Sequence, residues 1–63
     1  MAFDRITVDP KVCGGKPTVR GLRITVDLLL KLLGDGYTAE QIVREYPELQ
    51  IDDVYQAARL GAL

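Results

Sequence analysis

Residues 37–58 read YTAEQIVREYPELQIDDVYQAA, and this stretch decides the fold. In Thr38-Ala39-Glu40-Gln41 a hydroxyl residue stands three positions before a glutamine. At a helix start each of those side chains can take the other's backbone amide, and Tyr37 and Ile42 are spaced to staple the turn from outside. Ala39, Ile42, Val43 and Tyr46 then recur at helical spacing as one apolar stripe. Pro47 stops the helix, because its ring crowds the preceding turn and it has no amide hydrogen. A further helix is predicted from Ile51. Asp52 and Asp53 suit the positive end of its dipole, Leu49 and Val54 can staple it, and Ile51, Val54, Tyr55 and Ala58 repeat the stripe. Gln50 is a poor cap for it. A helix of about eight residues, a turn of about four and a helix of about twelve is helix-turn-helix spacing.

Working upstream, Thr25 can cap an earlier helix with Asp27 in its first turn. Val26, Leu29, Leu30 and Leu33 form its apolar face, and Leu28 and Leu32 widen that face to roughly 200°. Gly34 and Gly36 end the helix, one of them in the left-handed cap conformation. Before it, Arg5-Ile6-Thr7-Val8-Asp9 alternates and stops at Pro10. Cys13-Gly14-Gly15-Lys16-Pro17 is turn-rich, and Thr18-Val19-Arg20 and Leu22-Arg23-Ile24 are strand-like around Gly21. Residues 5–25 therefore read as a small hairpin or two short strands. The expected fold is mainly α: one domain over residues 1–63, with a strand and turn segment at 1–25 and three helices at 26–63. Its arrangement is helix-turn-helix, homeodomain- or winged-helix-like.

Sixty-three residues allow one domain. A chain this short buries only about 60% of its unfolded surface and usually needs a staple. Cys13 is the sole cysteine and there is no histidine, so neither an internal disulfide nor a tetrahedral metal site is expected. Association is the remaining staple. The broad first helix points to a homodimer or higher oligomer, with Leu28 and Leu32 at the subunit contact. The start has no apolar stretch of signal-peptide length, and no apolar run approaches a membrane span, so a soluble cytoplasmic protein is expected.

The parts of an enzyme are missing as well. Cys13 has no histidine base. Gly14-Gly15-Lys16-Pro17-Thr18 departs from a phosphate-binding loop, since proline separates lysine from threonine and the upstream glycine is absent. No catalytic residue, cofactor or metal is expected.

Net charge is −1, but it is unevenly spread. Residues 1–31 carry six basic and three acidic side chains, and residues 32–63 carry two basic and six acidic ones. Lys11, Lys16, Arg20 and Arg23 follow one another without an intervening acid. Such a segment is either a solvated face or a surface that contacts anions, on an acidic protein or on nucleic-acid phosphate. Arg20 and Arg23 flank Gly21 and are expected to be exposed, so reversing both charges should leave the fold intact. The third helix is a poor DNA reader on this view, because Asp52 and Asp53 would repel phosphate where a recognition helix contacts it.

From Arg5 to Ala58 the chain resembles the DUF433 family, which is also described as antitoxin-like of the VapB type. The resemblance is carried by Asp9-Pro10, by Cys13-Gly14-Gly15-Lys16-Pro17, and by Arg20-Gly21 with Arg23-Ile24 and Val26. Gly36, Glu40-Gln41-Ile42, Tyr46-Pro47, Leu49 and Asp53 continue it. Gln50 departs from the pattern, where the family usually has a capping threonine. Many relatives continue past the third helix, so a function held in such a tail is expected to be absent. The resemblance implies a helix-turn-helix-like fold and a PIN-like ribonuclease toxin as partner. Such nucleases hold a divalent metal among carboxylates. With the charge map, this puts Arg20 and Arg23 at the partner's carboxylates, where a guanidinium can bind in a fork. Lys16 and Lys11 would support them. Operator DNA is the alternative partner, and a plain structural or adaptor module is the third reading.

Overall fold

A computed structural model describes residues 3–62 of the chain. Three helices follow a short antiparallel hairpin: β1 at Ile6–Thr7, β2 at Thr18–Val19, α1 at Val26–Gly34, α2 at Ala39–Glu45 and α3 at Ile51–Gly61. The hairpin is narrower than the alternation suggested. Ile6 pairs with Val19 and Thr7 with Thr18. Leu22–Ile24 is no strand, because the chain folds back on itself there. The Leu22 amide donates to the Val19 carbonyl at 2.8 Å and the Val19 amide to the Ile24 carbonyl at 3.0 Å.

The helix ends follow the local chemistry. Thr25 Oγ1 accepts from the Leu28 amide at 3.1 Å. Thr38 Oγ1 accepts from the Gln41 amide at 3.1 Å while Gln41 Oε1 accepts from the Thr38 amide at 2.8 Å, which completes the capping box. At the end of α1, Gly36 takes φ 100°. Its amide donates to the Leu33 carbonyl and the Tyr37 amide to the Leu32 carbonyl. That pair of bonds is the Schellman cap, which needs a left-handed residue where Gly36 stands. α2 and α3 are joined by residues 46–50, so the expected succession of helix, turn and helix is present.

The core gathers Val19, Ile24, Val26, Leu29, Ala39, Ile42, Leu49, Val54 and Ala57. The buried face of α3 is turned from the expected one. Asp53, Val54 and Ala57 are buried, Tyr55 is 50% exposed and Ala58 only half-buried. Asp53 and Ala57 lie one turn apart, and a reading that kept every charge outside could not place them on the inner face. Leu28 and Leu32 are half-buried and packed against the chain's own core, so intramolecular contacts take up part of the wide α1 face.

Candidate functional site

The hairpin register sets the electrostatics. Because Ile6 faces Val19, Arg5 faces Arg20, and the Arg20 amide donates to the Arg5 carbonyl at 2.8 Å. Two like charges opposite one another on a hairpin repel. Asp53 of α3 resolves the conflict. Its side chain has 0% exposure, and it accepts from Arg5 Nη1 at 3.0 Å. Arg20 approaches as a fork: Nη2 donates to Oδ2 at 3.0 Å and Nε lies 3.2 Å from Oδ1. The Gln50 amide donates to Oδ2 at 2.8 Å, so the same carboxylate caps α3. Gln50's own side chain makes no cap bond and instead accepts from Arg5 Nη1 at 2.7 Å. Arg20 Nη2 also reaches the Glu48 carbonyl. One carboxylate thus ties β1, β2, the α2–α3 turn and α3 together.

Burial acts to push the Asp53 carboxyl up. The hydrogen bonds from Arg20, the Gln50 amide and Arg5 outweigh it and hold the group below the ordinary aspartate range. Arg5 is correspondingly held above its ordinary value, chiefly by its hydrogen bond to Asp53. Arg20 sits at φ 48°, a left-handed conformation that costs a side-chain-bearing residue on the order of 1 kcal/mol. Its several bonds to Asp53 and Glu48 offset that strain.

The basic cluster is therefore divided. Arg20 is exposed as expected, its side chain 36% accessible, but its guanidinium already binds Asp53 and the Glu48 carbonyl, which corrects the expectation that its charge can be reversed freely. Asp53 likewise cannot repel phosphate from the start of α3, since it is buried between two cations. Lys11, Lys16 and Arg23 are exposed. Lys16 lies 3.8 Å from Asp27, both well exposed, a pair of little energetic weight. Neither the Lys11 ammonium nor the Arg23 guanidinium has a hydrogen-bond or ion-pair partner among the described residues. The turn between them is tightly wound, with Cys13, Gly14 and Gly15 all at positive φ.

Arg5 was missed in the sequence, although a hairpin register pairing it with Arg20 would have demanded an acid between them. A second feature missed is the groove of about 380 Å³ lined by Asp4, Arg5, Asp52, Tyr55, Gln56 and Arg59. Gln56 spans it, donating to Asp4 Oδ1 at 2.7 Å and accepting from the Arg5 amide at 3.0 Å. Among the described residues no group of three or more His, Cys, Asp or Glu side chains is placed to hold a metal, and no helix is long and apolar enough to cross a membrane.

The chain is similar to known proteins in two respects. The family model described as "Protein of unknown function (DUF433)" matches residues 6–59. The crystal structure of a DUF433 member protein from Anabaena variabilis ATCC 29413 superposes with a TM-score of 0.83 at 30% identity, over 89% of this chain. The chain spans only 55% of that relative's length. No curated protein matches. With its hairpin, its three helices and a family match over nearly its whole length, the chain belongs to the DUF433 family.

Proposed function

We propose that the chain is a non-enzymatic interaction domain that neutralises an acidic protein partner, an antitoxin-like role toward a PIN-like ribonuclease. The observation that carries this reading is the exposed set of Lys11, Lys16 and Arg23, within and just after a hairpin tied to α3 by the Asp53 clip. A rigid display of cations loses little entropy when it meets carboxylates, and charge complementarity speeds and orients such encounters. Arg23 provides the fork and the two lysines the supporting field.

The test is the triple variant Lys11→Glu, Lys16→Glu, Arg23→Glu. Circular dichroism should be unchanged. Inhibition of a PIN-like nuclease encoded beside the chain should be lost, with binding weaker by about 2 kcal/mol or more. A folded triple variant that still inhibits would end this reading.

Operator DNA remains the second reading, and one observation favours it over the sequence-based expectation. With Asp53 buried between Arg5 and Arg20, Asp52 is the one of the two aspartates that the start of α3 exposes, and it lies 3.8 Å from Arg5. The repulsion of phosphate there is weaker than the two adjacent aspartates suggested. Loss of salt-dependent DNA binding in the triple variant, with nuclease inhibition intact, would select this reading instead.

A further inference from the structure

We infer that the outward face of α3 is a self-association surface, whose partner is the same face of a second copy of this chain running antiparallel. The inference is independent of the antitoxin reading. Asp52, Tyr55, Gln56 and Arg59 all line the one groove, and none of Lys11, Lys16 or Arg23 does. Asp52 and Arg59 are two helical turns apart, about 10 Å along the axis, with Tyr55 and Gln56 between them.

That order is self-complementary. In an antiparallel pair of α3 helices centred between Tyr55 and Gln56, Asp52 of each copy meets Arg59 of the other, and Tyr55 of each meets Gln56 of the other. Both charge contacts are attractive, and they occur twice by the two-fold symmetry. A parallel pair would set Asp52 against Asp52 and is disfavoured. The Asp52 side chain is 71% exposed, beside Arg5 at 3.8 Å, and Tyr55 is 50% exposed. Tyrosine and arginine are the residues most enriched where interface energy concentrates. Each tyrosine ring also has the partner's groove to enter. Arg59 is exposed and also has an interaction within its own chain. By contrast Leu28 and Leu32, the contact expected from the sequence, already pack on their own core. The α3 face is small, so the affinity belongs to the micromolar class rather than the nanomolar one.

The pairing makes a specific prediction by charge exchange. Sedimentation equilibrium at high micromolar concentration should give a dimer for the natural chain. Asp52→Arg alone sets arginine against Arg59 twice, and Arg59→Asp alone sets aspartate against Asp52 twice. Each single variant should lose dimer affinity by ~tenfold or more. Mixed one to one, the two variants should form a heterodimer, because both of its contacts are opposite in charge again. The double variant Asp52→Arg, Arg59→Asp should also dimerise. Circular dichroism guards against unfolding, and Tyr55→Ala, which leaves the charges in place, should weaken the dimer as well. A monomeric natural chain, or single variants that dimerise as well as it does, would overturn the inference. So would dimerisation abolished by Leu28→Glu, Leu32→Glu and untouched by the charge exchange.

Discussion

Arg20 and Arg23 stand three residues apart on either side of Gly21, yet the fold uses them in opposite ways. Arg20, at φ 48°, stays partly exposed but closes its guanidinium on a fully buried carboxylate. Arg23 is exposed and has no such partner among the described residues. Residue type is the same for both, and each lies within two positions of the glycine. What differs is the backbone. The Arg20 amide is fixed to the Arg5 carbonyl, so the hairpin register aims Arg20 at α3. Arg23 lies in the tight return between Val19 and Ile24, and among the described residues its side chain makes no bond to α3. A basic run in a sequence is thus not a surface until the pairing of its strands is known.

Reversing each charge in turn is the strongest way to break that contrast. Arg20→Glu places a second carboxylate beside buried Asp53 and should cost about 2–3 kcal/mol, less than a fully buried pair would lose, because Arg20 is 36% exposed and Arg5 stays in place. A 63-residue domain holds about 3–9 kcal/mol in total, at roughly 0.05–0.15 per residue. This variant should therefore lose a large part of that stability and unfold at a much lower urea concentration. Arg23→Glu should change stability by no more than about 0.5 kcal/mol. Urea denaturation followed by circular dichroism measures both. Equal effects at the two positions would show that the clip contributes nothing.

Acid should erase the contrast without any change at Arg20. The Asp53 carboxyl titrates below its ordinary value in the folded chain. The unfolded chain therefore binds more protons at low pH, and stability falls as pH falls. The contribution is fully present above the unfolded pKa of about 3.9 and is lost as pH drops through the lower folded value. Asp53→Asn cannot titrate. Its deficit relative to the natural chain should be about 2 kcal/mol at neutral pH, set by lost charge-assisted hydrogen bonds. That deficit should shrink steadily below about pH 4. Urea midpoints across the acid range test this, and a deficit that stays constant would mean Asp53 is not held as an anion.

The same contrast separates what was legible in the sequence from what was not. Thr25, Thr38 with Gln41, and Gly36 act on neighbours within five positions, and each does in the structure what its local chemistry dictates. The three helices and the hairpin before them follow from such signals. Asp53 depends on partners 48 and 33 positions away, Arg5 and Arg20. No local rule reports those, and the default for an acidic pair at a helix start is exposure. That default holds for Asp52 and fails for its neighbour. The same default misplaces Tyr55 on the core face and leaves the bonds of the exposed Arg20 to α3 unseen. Lys11, Lys16 and Arg23 do lie on the outside as read.

Gln50 gives the finest test, because it stands where local and distant demands meet. A threonine there would accept from the Asp53 amide, and an N-cap of that kind typically contributes about 1 kcal/mol. Two features of the structure reduce the gain. The Asp53 amide already donates to the Gln50 carbonyl at 3.0 Å, so it is not an orphan. And Gln50 Oε1 accepts from Arg5 Nη1 at 2.7 Å, a bond that threonine is too short to reach. That bond is exposed and steadies the arginine that holds Asp53, so its loss should cost about 0.5–1 kcal/mol. Gain and loss nearly cancel. Gln50→Thr should shift stability by less than about 0.5 kcal/mol, against about 1 kcal/mol lost on Thr38→Ala, where the capping box has no distant partner. Measured in the same urea series, a gain near a full cap would show that Arg5 needs no help from Gln50. A clear loss would show that the side chain at position 50 serves the clip more than it serves the helix.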